Sequence, residues 1–244
     1  MLIIGSVIAV RNSRKNYETE RLAIVYTNCG FMGIPLVSSV FGNEGVFFLT
    51  GYITMMNIFM WTHGVVVMNG GEKKPVKETV RELIKILLSP AILSVVIGLF
   101  FFFSGIKLPK IITQPLDYLA ALNTPLAMIV SGATIAKAGL KQAFAQKRIY
   151  FAQAAKLMII PLVLAPILAV MELFGADHIV TSTVLMVAAA PTASATIMFA
   201  YRFGKDENYA SHHFALSTVA SILTMPLVMV VGEWISGVIT QYSV

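Results

Sequence analysis

Apolar runs of membrane-spanning length fill nearly the whole chain, and no other feature limits its fold as strongly. After an opening stretch of ten residues, MLIIGSVIAV, seven longer segments run roughly over 21–41, 45–68, 82–104, 115–137, 148–174, 178–202 and 208–239. About 20 residues of helix cross a hydrocarbon core of ~30 Å, so each of the seven is long enough. Inside lipid every backbone N–H and C=O must find a partner within the protein, which makes helices the expected form. Charged residues make up only 12% of the chain and hydrophobic ones 57%. A soluble domain carries about 25% charged residues. The fold class expected is therefore an all-α polytopic membrane protein. No Pro- or Ser-rich linker divides the 244 residues, so residues 1–244 form one membrane domain.

The formal charge of +6 does not point to nucleic acid, because the basic residues sit in short joins between apolar runs. Taking the joins alternately, one set holds Arg11, Arg14, Lys15, Arg21, Lys73, Lys74, Lys77, Arg81, Lys85, Lys137, Lys141, Lys147, Arg148, Arg202 and Lys205. The opposite set holds only Lys107 and Lys110, and Lys156 lies inside a segment. This bias places the first set in the cytoplasm and both termini outside a cytoplasmic (plasma) membrane. Cys29 is the single cysteine, which excludes an internal disulfide and offers no metal-ligand spacing. No cofactor or metal is expected.

The opening stretch rises only ~15 Å as a helix, half the hydrocarbon thickness. Its positive charges follow the apolar run rather than precede it, unlike a signal peptide. Met1 then falls at mid-membrane depth, and the expectation is that the first helix begins upstream. A short, tilted first helix is the simpler alternative.

Two of the long segments are interrupted near their middles. Segment 21–41 carries TNCGFMGIPL at 27–36, and segment 178–202 carries Ala189-Ala190-Pro191-Thr192-Ala193-Ser194. The first ends in Phe41-Gly42 and the second in Phe203-Gly204, and superposing these pairs lays Asn28-Cys29 over Ala190-Pro191. The alternation of joins sends the two segments in opposite directions. Interrupted helices at matching positions of two antiparallel halves mark an inverted-repeat secondary transporter. By this reading 82–244 is a complete five-helix second repeat, 69–81 a cytoplasmic loop and 1–68 the remnant of the first repeat. Irregular backbone at bilayer depth survives only where protein or water covers it, so the two breaks are expected to cross. Half-helix N-termini gathered there suit an anionic group.

The substrate-binding residues expected are Asn28, Cys29, Gly30 and Pro35 on one break and Pro191, Thr192 and Ser194 on the other. Gly30 and Gly33 would permit close backbone approach, and Pro35 removes a donor. Asn28 can donate to a carboxylate or cap freed backbone. Thr192 and Ser194 offer hydroxyls to a ligand or to local carbonyls. Asn123 and Thr124 face the crossing or stabilise the kink at Pro125. Lys156 is a charge partner for an anion, or else snorkels to the interface. His63 reads as a hydrogen-bonded packing histidine. His212 and His213 read as facing headgroups and water, and Glu172, Asp177 and Glu233 as solvated carboxylates at outer helix ends. Asn57, Ser217 and Thr218 read as helix–helix glue. Pro90, Pro161, Pro166 and Pro226 read as kinks.

Four stretches resemble the auxin efflux carrier family of membrane transporters, which includes plant auxin exporters and bacterial permeases for malate and similar acids. They are Asn28 with Met32-Gly33-Ile34-Pro35-Leu36 and Phe41-Gly42; Leu88-Ser89-Pro90; Asn123-Thr124-Pro125-Leu126 with Ser131-Gly132-Ala133; and Ala190-Pro191 with Phe199-Ala200. The resemblance implies ten helices in two inverted repeats, with the fourth and ninth crossing at their breaks in a mobile transport domain. By that mapping this chain lacks the first two helices and part of the third. Plant exporters place a proline before the asparagine, where this chain has Thr27, and a polar amide where it has Thr192. The function implied is secondary transport of a small organic anion such as malate, driven by a proton or cation gradient or by the substrate's own gradient, by a homodimer in a lipid bilayer. A truncated, non-transporting relative is the alternative. An enzyme is not expected, since the chain contains no HExxH, G-x-S-x-G or paired intramembrane aspartates, and it has no P-loop.

Overall fold

A computed structural model describes residues 16–70, 90–138 and 140–241. The opening stretch, most of the join after Met68 and the Leu88-Ser89 motif lie outside the described residues. The elements in chain order are α1 (Tyr17–Val25), a wide π-type turn at Cys29–Gly33, and a helical run Ile34–Phe59 that changes direction at Gly42. We call its parts α2 (34–41) and α3 (43–68), the latter including a second wide turn at Met60–Gly64. Then come α4 (Pro90–Ser104), α5 (Lys110–Ala121), α6 (Asn123–Lys137), α7 (Leu140–Ala145) and α8 (Lys147–Leu173), which contains a third wide turn at Ala155–Ile159. The chain ends in α9 (His178–Ala188), α10 (Ala195–Arg202) and α11 (Glu207–Gln241).

The described residues are all-α, and the chain is an α-helical membrane protein. Three helical runs are long and apolar enough to cross a membrane: Cys29–Met68, Lys147–Leu173 and Glu207–Gln241. Segments 45–68, 148–174 and 208–239 thus appear as α3, α8 and α11. Segments 21–41 and 178–202 are interrupted as expected and appear as α1 with α2 and α9 with α10. Segment 115–137 differs from expectation. Its helix begins at Lys110 and divides at Leu122. Pro125 has no N–H to give Ala121, so the ladder stops there, and the proline sits instead in the first turn of α6.

Gly42 turns the chain with φ 62° and ψ −152°, a conformation essentially closed to other residues. The return is tight, because a Cβ on Gly45 would lie 2.5 Å from the Cβ of Phe41. Gly204, the other Phe-Gly glycine, also has positive φ, at 63°.

The two breaks meet. Thr27 and Thr192 form an antiparallel bridge. The Asn28 N–H donates to the Pro191 carbonyl at 2.8 Å, and the Ala193 N–H donates to the Tyr26 carbonyl at 3.0 Å. Two further bonds pin the second break: the Thr192 N–H donates to Ser217 Oγ at 3.1 Å, and the Thr192 hydroxyl donates to the Ala23 carbonyl at 3.0 Å. Backbone that lipid could not satisfy is thereby satisfied by protein. One apolar cluster, including Val37, Leu49, Leu168, Leu185 and Val228, packs on one side of the crossing. A second, including Leu22, Tyr26, Met60, Phe199 and Ala210, packs on the other. By contrast α5 buries none of its residues, and Phe100, Phe103, Ile111 and Leu119 are exposed on α4 and α5.

Two predictions follow from this backbone. Gly42→Ala forces a side chain into the glycine-only region and should cost about 1–3 kcal/mol, whereas Gly30→Ala meets nothing within 4 Å and should cost little. Thermal unfolding in detergent, followed by size-exclusion fluorescence, checks the contrast. Ser217→Ala leaves the buried Thr192 N–H without a partner, at about 1–3 kcal/mol. Thr218→Val removes only a bond to the Phe214 carbonyl of its own helix and should cost less in the same assay.

Candidate functional site

The crossing gathers most of the polar residues expected from the sequence. The wide turn at Cys29–Gly33 arises because the Asn28 carbonyl accepts from both Met32 N (3.2 Å) and Gly33 N (3.1 Å). A π-type turn of this sort loosens the helix and often accompanies a functional site. Pro35 follows in the first turn of α2, where a missing N–H costs nothing. Asn28 and Cys29 are buried. The Asn28 side-chain amide nitrogen has no hydrogen-bond partner. The Asn28 backbone N–H is used by Pro191, so the carboxamide does not cap its own break.

The glycines do not have the role expected of them. A Cβ on Gly30 would meet nothing within 4 Å, and one on Gly33 would make ordinary contacts with Cys29 and Val187 at 3.6 and 3.7 Å. Close approach of the two breaks is instead made by the backbone bridge itself. Thr192 bonds backbone, but the carbonyl belongs to α1, on the other broken segment. Ser194 is half-buried at the start of α10. The side chains of Asn123 and Thr124 lie outside the described residues. Their helix, α6, packs along the Cys29–Gly33 turn and α11.

Lys156 is resolved in favour of burial. It is 0% exposed, its Nζ has no hydrogen-bond partner, and it does not snorkel. It lies in the wide turn of α8, which packs on α11 and on α1, the half-helix that leads into the first break. A cavity of about 300 Å³ adjoins the crossing, lined by Val25, Tyr26, Tyr52, Met56, Leu164 and Val184 among others. The site therefore combines one carboxamide donor, one ammonium and the N-termini of two half-helices next to apolar walls.

Other polar residues are placed differently from expectation. His212 and His213 do not face water: they are 4% and 0% exposed. His213 Nδ1 meets Gln153 Nε2 at 2.6 Å, and His212 Nδ1 meets Gln146 Nε2 at 3.1 Å. Both histidines lie on the face of α11 that packs against α8, so protein covers them. Glu172 is likewise no free carboxylate. It accepts from the Thr181 and Ser236 hydroxyls and meets His178 Nδ1 at 3.0 Å. Glu233 accepts from Ser182 at 2.9 Å and lies 3.3 Å from His178 Nε2. Glu233 and Asp177 are nevertheless exposed, as expected at outer helix ends, and Asp177 also caps α9 through the Ile179 N–H.

His63 is hydrogen-bonded as expected, to Arg21 at 3.2 Å and Tyr26 at 2.9 Å. Arg21 can only donate, so Nε2 accepts and Nδ1–H donates to Tyr26, whose hydroxyl donates on to the Phe59 carbonyl. The Glu20 carboxylate was not anticipated as an organising group. Arg148 binds it through two nitrogens, at 3.0 and 2.6 Å, and the Tyr209 hydroxyl donates to it at 3.1 Å. Its position as the fourth residue of α1, directly before the run read over 21–41, was the available signal. Among the described residues no group of three metal-ligating side chains is placed to hold a metal.

Comparison with known proteins identifies transporters as relatives of the chain. The chain is 26% identical over 212 residues to an "Uncharacterized transporter" of Methanothermobacter thermautotrophicus, covering 86% of this chain and 66% of that protein. It is 26% identical over 219 residues to a "Putative malonate transporter" of Rhizobium meliloti, covering 88% of this chain and 67% of that protein. The chain thus spans about two thirds of the length of these relatives. The profile of the family described as "Membrane transport protein" matches residues 1–229. With that match over nearly its whole length, the chain belongs to the membrane transport protein family, the same auxin efflux carrier family that its motifs resemble.

Proposed function

We propose that the protein is a secondary transporter of small dicarboxylates, malonate and malate foremost, across the cytoplasmic membrane. The observation that carries this reading is the crossing: two broken helices joined by backbone bonds, with the buried Asn28 amide nitrogen and Lys156 ammonium both lacking hydrogen-bond partners. A buried charge without a counter-charge is costly, and an anionic ligand would supply the counter-charge. The half-helix N-termini add positive partial charge at the same place. The name of the Rhizobium relative supports a three-carbon diacid. Asn28 and Lys156 contact the carboxylates. Cys29, Gly30, Pro35, Pro191, Thr192 and Ser194 shape the crossing, and Asn123 and Thr124 close it from α6.

In this reading the two halves are inverted repeats, and the crossing faces each side of the membrane in turn. The Arg148–Lys205 end lies in the cytoplasm, following the fifteen-to-two division of basic residues. A proton or cation gradient drives the cycle, and a homodimer forms through the helices outside the packed body. The second reading is a family relative that binds the same anion but does not cycle.

Uptake of radiolabelled malonate and malate into proteoliposomes, with an indole acid for comparison, separates the readings. Saturable dicarboxylate uptake is expected; binding without uptake would favour the second reading, and neither would remove the substrate class. Asn28→Ala and Lys156→Met should each weaken malonate binding about 10- to 100-fold, the loss of a hydrogen bond to a charged group. An unchanged dissociation constant would take that residue out of the site. Pro191→Ala should impair uptake more than Pro226→Ala, and equal effects would reduce Pro191 to a kink.

A further inference from the structure

We propose that a hydrated polar file bounded by Glu20, Tyr209, His213 and Gln153 carries protons between the Arg148–Lys205 end of the protein and Lys156. The proposal rests on the transporter reading of the crossing and gives that site its coupling route.

The file starts from side chains that the apolar packing leaves unsatisfied. Gln153 is 3% exposed, and Lys156 and His213 are 0% exposed. The Gln153–His213 bond uses one atom of each side chain. Gln153 Oε1, His213 Nε2 and Lys156 Nζ remain buried without partners, and so does Thr19 Oγ1 next to Glu20. Each unpaired buried polar group destabilises the fold, and a charge does so more. Native proteins satisfy such clusters with ordered water. Gln153 and Lys156 stand three residues apart on α8, hence on one face and about 5–6 Å apart. His213 closes that face from α11.

The row continues to the surface. The Tyr209 ring meets the His213 ring edge-on at 4.7 Å, and the Tyr209 hydroxyl donates to Glu20. Arg148, which clasps Glu20, has a side chain 36% exposed. At the other end Lys156 lies in the wide turn of α8, which packs on α1, the half-helix that leads into the first break. A continuous polar row thus runs from solvent to the proposed substrate site, through a region whose other walls are Ile24, Ala152 and Ile160.

The charges around His213 are accounted for from each neighbouring element. On α11 they are Tyr209 and His212, the latter held by Gln146; on α8, Arg148 and Lys156; on α1, Glu20. Arg148 and Glu20 offset each other, and Glu18 pairs with Lys205 further out at 3.0 Å. Lys156 is left as the charge with no partner in this region, so it is the group that exchanges protons. When the anion leaves, the ammonium gives one proton to the adjacent water. Each hop then breaks one O–H bond and forms another, until a proton leaves at Glu20. Binding of the anion draws a proton back. His213 stays neutral, lining the file rather than carrying charge, and no oxidant or reductant enters.

The test uses the 244-residue chain in proteoliposomes with radiolabelled malonate. Counterflow, which needs no driving force, is read beside uptake driven by a pH gradient and beside the signal of a trapped pH dye. His213→Phe and Gln153→Leu, which dry the file, should keep counterflow within about twofold. They should lose at least tenfold in gradient-driven uptake and in malonate-dependent proton movement. Unchanged gradient drive in both variants, with counterflow intact, overturns the file alone. Equal loss of counterflow and drive in both correctly folded variants would put these residues in the binding site and also overturns it. Absence of counterflow in the wild type overturns the transporter reading and this proposal with it.

Discussion

The rest of the molecule is arranged around two backbone hydrogen bonds, from Asn28 N to Pro191 O and from Ala193 N to Tyr26 O. A helix broken at bilayer depth exposes donors and acceptors that lipid cannot bind, and one break alone would be ruinous. Two breaks laid antiparallel satisfy each other with strand-like bonds. The consequence is positional. Each break must lie at the same depth as the other, and the segments must run in opposite directions. Ser217 from α11 then takes the amide of Thr192, which the bridge leaves over.

That arrangement also explains where conformational licence is used. The wide turns at Cys29–Gly33 and Ala155–Ile159 adjoin two residues of the proposed site, the first following Asn28 and the second holding Lys156. Gly42 supplies the sharp reversal that lets α3 return along the broken segment. Glycine is needed there, whereas at Gly30 open space remains. The freedom of the chain is thus spent on turning, not on close packing of the breaks.

Much of this was legible in the sequence for a physical reason. Helices in lipid must be apolar and about 20 residues long, so α3, α8 and α11 announce themselves, and a proline or paired glycine inside such a run stands out. The meeting of the two breaks followed from the need to cover irregular backbone. Side-chain pairing did not follow. Whether Lys156 snorkels or is buried depends on which face of α8 turns inward, and composition does not give rotation about a helix axis. The same holds for His212 and His213, whose distance from the helix end suggested water while α8 in fact covers them. Glu20 was hidden because its partner Arg148 lies 128 residues away. The division of 115–137 at Leu122 was within reach, since Pro125 was visible and its missing donor fixes the break.

The ion-pair and hydroxyl clusters at the two ends bear on what can move. At one end Glu20, Arg148 and Tyr209 tie α1, α8 and α11 together. At the other, Glu172, Thr181, Ser182, Glu233 and Ser236 tie α8, α9 and α11, with His178 between the carboxylates. In the middle Ser217 holds the bridge to α11. Helices α8 and α11 take part at the ends, and α11 at the centre, so the broken segments are fastened at three heights. A body fastened in this way resists internal sliding, because any shift between its helices must break buried polar contacts at more than one level. Helices α4 and α5 present large apolar side chains outward. Under the proposed transport role, relative motion would therefore fall between the fastened body and these outer helices, carrying the crossing intact from one side of the membrane to the other.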